Sequence, residues 1–287
     1  MINADFVELK HQCSRERGPI GVFDSGYGGL TILRQIRRLM PQYDYLYLGD
    51  NARTPYGTRS FDLVYEFTLQ AVRYLFEQGC HLVILACNTA SAKALRSIQQ
   101  RDLPLLDPQR RVLGVIRPTV EVVGNISRTR HVGIMATPGT IRSHTYELEI
   151  AKLCPDIQVT GEACPMWVPL VENDEYDSPG ADYFVSKRIE SLLSRDPLID
   201  SVILGCTHYP LLLGKIRQYM PADVHIIEQG SYVAESLKDY LFRHPEMAER
   251  ITMGGSARFL TTEQAETFQS KATVFMGEQL EAERVQL

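Results

Sequence analysis

Two cysteines in this chain of 287 residues stand where a thiol can do acid–base or nucleophilic work: Cys87 in LVILACNTA (82–90) and Cys206 in SVILGCTHYP (201–210). Each follows an apolar run and precedes a polar turn. A free thiol ionises near pH ~8.5, so its neighbours decide whether it reacts at neutral pH. His208, two residues past Cys206, is placed to hold or receive that thiol's proton. Cys87 has no histidine beside it, and Asp24, at the end of another apolar run, is the nearest candidate in kind. Glu172 closes Val168-Pro169-Leu170-Val171 and is a further acid within reach of a cleft. Cys13, Cys80, Cys154 and Cys164 read as structural thiols. Cys206 and His208 lack a second paired Cys/His cluster at zinc spacing, so no metal is expected.

Four polar clusters follow apolar runs: Asp24-Ser25-Gly26-Tyr27-Gly28-Gly29, Gly49-Asp50 with Pro55-Tyr56-Gly57, Cys87-Asn88-Thr89-Ala90-Ser91, and Gly205-Cys206-Thr207-His208-Tyr209-Pro210. Turns built from Gly, Ser, Thr and Asn at helix starts offer N–H groups and hydroxyls to a carboxylate or phosphate. One such turn is an ordinary cap, but four on one sheet edge point to an anionic ligand. The first cluster is not a dinucleotide fingerprint, because Thr31 stands where the last glycine of G-x-G-x-x-G belongs. The Gly-Lys-Ser/Thr of a phosphate-binding P-loop is absent.

The elements that must carry these clusters are short Val/Ile/Leu-rich runs alternating with segments of helical period. That is the pattern of βα units on a parallel sheet covered on both faces. Nine runs read as strands, around 20–23, 45–48, 82–86, 112–116, 132–135, 157–160, 202–204, 224–227 and 258–260. A helix is expected over Arg59–Gln78, ended by Gly79. The similar strand-Cys-turn units at 87 and 206 suggest two related halves. In open α/β sheets ligands bind at the carboxyl ends of strands, where both cysteines fall. At roughly 150 residues per domain the length allows two domains.

Taken together and in order, the four clusters closely resemble glutamate racemase, of the aspartate/glutamate racemase superfamily, from about Ile20 to about Gly277. The resemblance implies two doubly wound α/β domains of similar topology facing each other across the active site. It places the first at 19–117 plus 225–287 and the second at 118–224, with 1–18 as an N-terminal tail. It implies cofactor-independent inversion of glutamate at Cα by two thiols, Asp24 serving Cys87 and His208 serving Cys206. Ser25, Gly57, Asn88, Thr89 and Thr207, with Tyr56 beside them, are the positions it gives to the substrate's carboxylates and ammonium. D-Glutamate for peptidoglycan precursors and a homodimer follow at the level of the family. The chain departs from the usual pattern at Asn51-Ala52-Arg53-Thr54 and at Glu228-Gln229-Gly230. These departures bear on rim contacts and regulation, not on the two cysteines. Gln99–Arg111 reads as an extended surface loop.

Composition narrows the remaining classes. Hydrophobic residues make up 44% and charged residues 23%, with a formal net charge of −5. Those values describe a globular chain without the basic stripe of a nucleic-acid or membrane-surface binder. Six scattered cysteines argue for reduced thiols. The start mixes charges and lacks an apolar core, so no signal peptide is expected and the protein reads as cytoplasmic. The alternatives are an aspartate or broad-specificity racemase, a thiol hydrolase using Cys206 and His208, and a non-catalytic binding protein.

Overall fold

The computed structural model describes residues 17–287. Cys13 and most of the expected tail lie outside the described residues. Gly18, the tail's last residue, forms a parallel bridge with Ile251. Ten strands are found among the described residues, all paired in parallel in two sheets. The first sheet contains β1 (Ile20–Asp24), β2 (Tyr45–Gly49), β3 (Leu82–Leu85), β4 (Arg111–Gly114), β9 (Ala257–Thr261) and β10 (Ala282–Arg284), in the order β10-β9-β2-β1-β3-β4. The second contains β5 (His131–Ala136), β6 (Gln158–Ala163), β7 (Ser201–Gly205) and β8 (His225–Ile227), in the order β6-β5-β7-β8.

Alternation along each strand explains why both faces are covered. In β1 and β2, Ile20, Val22, Tyr45 and Tyr47 enter one apolar cluster, while Phe23, Leu46 and Leu48 enter another on the opposite face. In the second sheet Val202 and Leu204 face the first of these clusters, and Val132, Ile134 and Ile203 a third. A parallel sheet buried on both sides needs such continuous apolar strands. Helix 61–77 is capped by Ser60, whose hydroxyl accepts from the Leu63 N–H, and the turn after it uses Gly79 at φ +88°. Such a cap stabilises a helix by about 1 kcal/mol.

Both sheets reverse direction at the same place. The chain runs from β1 to β2 on one side and then crosses to β3 on the other; β5, β6 and β7 repeat the move. The switch points therefore lie between β1 and β3 and between β5 and β7, where ligands bind in this architecture. Asp24 and Cys87 occupy the first, Cys206 and Thr207 the second. The two related halves expected from the cysteine units are thus two sheets with matching strand order.

Three expectations are corrected. β8 hydrogen-bonds along β7, so the return to the first sheet follows Ile227 instead of beginning at 225. The segment expected as a surface loop, Gln99–Arg111, is helical up to Leu106, with Pro104 in the first turn of its last piece, where proline costs no hydrogen bond. β10 was not expected at all. Its three residues, Ala-Glu-Arg, carry no apolar periodicity and pair at the sheet edge. His131, at the start of β5, places its Nδ1 2.9 Å from Asp196 Oδ2. Among the described residues no helix is long and apolar enough to cross a membrane.

Candidate active site

The carboxyl ends of the two sheets meet around one cavity, lined among others by Ser25, Cys87 and Asn88 from the first sheet's turns and by Thr137, Cys206 and His208 from the second's. Tyr56, Gly57, Thr89 and Thr207 also contribute to its wall. The structure brings together every residue singled out by sequence, although not all at the surface of the cavity. Asp24 lies beneath the wall with no solvent exposure. Its carboxylate accepts from the Gly26 N–H at 2.9 Å and from the Thr207 hydroxyl of the opposite sheet at 3.4 Å. Gly28 allows this approach: a Cβ there would overlap Thr207 Oγ1 and the His208 ring.

Cys87 caps the short helix 88–93, with its sulfur 3.5 Å from the Ala90 N–H and 3.3 Å from Ser25 Oγ. Burial, and then the Asp24 charge, push its thiol up to about 12, while the Ser25 hydroxyl and the Ala90 N–H pull the other way. Asp24 therefore reaches Cys87 through the field, and Ser25 is the group in contact. Burial pushes the Asp24 carboxyl up, against the downward pull of the His208 cation and of the Gly26 and Gly29 N–H groups.

The second thiol has a different environment. Cys206 Sγ lies 3.9 Å from His208 Nδ1, and the other ring nitrogen, Nε2, lies 3.1 Å from Glu172 Oε1. Burial disfavours the imidazolium, but hydrogen bonds to Cys206 and Glu172 outweigh it and raise His208 to about 10. The protonated ring is thereby favoured where it lies, buried between a sulfur and a carboxyl group. Glu172 is drawn into the site, as its place after an apolar stretch suggested, acting on the histidine instead of facing the cavity directly.

The remaining residues divide between the wall and its support. The Tyr56 hydroxyl is committed to Asp50, which also pairs with Arg53 and accepts from Thr262, so Tyr56 offers its ring to the cavity. Thr89 Oγ1 lies 2.9 Å from Thr137 Oγ1 and 3.3 Å from Thr140 Oγ1, a threonine cluster joining the two sheets. Thr137 escaped the sequence reading although it follows β5 as a helix cap, the same signal that marked the other turns. Cys164, read as structural, does line the cavity, yet burial holds its thiol well above the ordinary range. Gln229, assigned to the rim by its departure from the usual pattern, is instead buried and bonded to Asn88.

Two thiols from different sheets line one cavity, Cys206 beside a histidine and Cys87 beside a serine hydroxyl and a backbone N–H, an arrangement that suits proton removal from one face of a carbon and delivery to the other. The family model for Asp/Glu/hydantoin racemase matches residues 29–237. The chain belongs to that family. It is 40% identical over 277 residues to the glutamate racemase of Dinoroseobacter shibae, covering 93% of this chain and 98% of that relative. Among solved structures it resembles glutamate racemase isoform RacE1 from Bacillus anthracis, at a TM-score of 0.85 and 33% identity over 94% of this chain and 98% of that one. Glutamate racemase from Francisella tularensis in complex with D-glutamate matches at 0.82 and 33%, with the same shares covered.

Proposed function

We propose that this chain interconverts L- and D-glutamate without a cofactor, using Cys87 and Cys206 as the two acid–base groups. The observation that carries the reading is the pair of buried thiols contributed by different sheets to one cavity. One sulfur, as thiolate, takes the Cα proton. The electron pair left on Cα then takes a proton from the other thiol on the opposite face, so the two sulfurs exchange protonation state and no net redox change occurs. The His208 imidazolium stabilises the Cys206 thiolate, and Ser25 and the Ala90 N–H do so for Cys87. Asp24 and Glu172 act as positioning residues, the first through Thr207 and the second through His208.

The developing carbanion needs preorganised donors in a site that excludes water. Asn88, Thr89 and Thr207, buried at the cavity wall, are the hydroxyl and amide groups for the substrate's carboxylates, with Ser25 and Gly57 beside them. The glutamate preference is supported by the names of the relatives. The D-glutamate formed would supply peptidoglycan precursors, and the expected assembly is a homodimer, measurable by sedimentation. Circular dichroism tests the activity directly: L-glutamate with purified protein and no added cofactor should lose its signal to zero. A stable signal with L-glutamate, or decay only with L-aspartate, would overturn the assignment.

A further inference from the structure

Behind the cavity wall, three buried side chains close a ring across the junction of the two sheets. Asn88 Nδ2 donates to Gln229 Oε1 at 2.6 Å, Gln229 Nε2 donates to the Tyr146 hydroxyl at 2.9 Å, and that hydroxyl donates to Asn88 Oδ1 at 2.7 Å. Asn88 follows Cys87, Tyr146 lies on the helix 145–153 of the second sheet's layer, and Gln229 opens the helix 229–243 that follows β8. Their exposures are 2%, 1% and 3%, so water does not compete for these bonds.

The direction of every bond in the ring is fixed from outside it. Gln229 Nε2 lies 3.3 Å from the Val115 carbonyl, which can only accept, and 3.0 Å from the Thr119 hydroxyl, which donates to that same carbonyl at 3.1 Å. That contact sets the Gln229 amide with its oxygen toward Asn88. Reversing the Asn88 amide would then place its oxygen against Gln229 Oε1 and its nitrogen against the Tyr146 donor. Two like contacts in a buried site make the reversed amide unfavourable. Asn88 Nδ2 spends one hydrogen on Gln229, and Asn88 is part of the cavity wall.

We propose that Gln229 is a positioning residue that locks the Asn88 amide so that its second N–H, and not its oxygen, serves a carboxylate in the cavity. The inference rests on the racemase reading above. It assigns a role to a residue outside the cavity lining. An aspartate or glutamate there would still accept from Asn88, but as an anion it would put an acceptor where Tyr146 and Thr119 require a donor.

The test is a double-mutant cycle on kcat/KM for both enantiomers. Gln229→Leu should raise KM for L- and D-glutamate about tenfold or more, the scale of a misoriented donor to a charged group, with a smaller change in kcat. In an Asn88→Ala background the same substitution should cost less than twofold. Tyr146→Phe, which deletes a single oxygen, should raise KM in the same direction and likewise lose its effect without Asn88. Equal costs in the two backgrounds would mean that Gln229 merely holds the sheets together, and an unchanged KM would mean that it orients nothing; either overturns the proposal. Native protein that fails to racemise glutamate would instead refute the underlying reading, which keeps the two failures apart.

Discussion

Substituting Glu172 with glutamine tests the electrostatic design of the second thiol, because it removes one charge and almost no volume. His208 is raised from 6.5 to about 10, against the cost of burial, by Cys206 and Glu172. An opposite charge at this range shifts a titration by about 1–3 units. The Cys206 hydrogen bond is the larger contributor, so Glu172→Gln should lower His208 by about 1–2 units, equivalent to about 1.5–3 kcal/mol. A folded-state value above the unfolded one means that the imidazolium's contribution is complete below about pH 6.5 and is lost as the pH rises through about 10. The variant should therefore be less stable than the native protein by that amount at pH 6–7 and converge with it above pH 10. The basic limb of kcat/KM should move to lower pH by the same 1–2 units. Nitrogen-15 NMR of the imidazole and urea unfolding across pH measure the two effects independently. A native His208 that titrates near 6.5, or a basic limb that does not move, would refute the reasoning.

Further outcomes follow from contacts elsewhere. Gly28→Ala should reduce kcat/KM more than tenfold, since the added methyl overlaps Thr207 and His208; native-like kinetics would show that the two sheets can separate freely. Asp200 is held down at about 2, burial being outweighed by the N–H groups of Thr129 and Arg128 and by the Ser127 and Ser201 hydroxyls. Its contribution is present above about pH 4 and lost as the pH falls through 2, so Asp200→Asn should cost about 1–2 kcal/mol at pH 7, and most of that cost should be gone by pH 2, by urea unfolding. Intact-mass spectrometry during turnover should find no substrate adduct on Cys206; an accumulating adduct would favour a thiol hydrolase.

Much of the candidate site was legible because its turns follow apolar runs, at strand ends where topology alone gives a residue a role. Cys87, Cys206, Asp24 and His208 all carry that signature, and the structure gathers them at the two switch points. Thr137 carries it as well and was passed over beside richer clusters. Gln229 was not legible, since a glutamine at a strand end looks solvated until the chain folds Tyr146 and Asn88 around it. The reach of Glu172 to His208 depends on the packing of two helical turns that sequence periodicity does not relate. The same limit applies to the fold: nine strands announced themselves through Val, Ile and Leu, whereas β10 is held by pairing to β9 and has no hydrophobic pattern of its own. The helical turns within 98–106 were hidden by a polar, proline-containing sequence.

The most direct test of the two-thiol account follows hydrogen at Cα when L-glutamate is turned over in D2O without added cofactor. With two groups on opposite faces, the delivering thiol has already exchanged with solvent. At low conversion the D-glutamate should carry deuterium at Cα in nearly every molecule, while the remaining L-glutamate stays unlabelled. D-Glutamate that retains the original protium would mean that one group both removes and returns the proton, and would contradict the account.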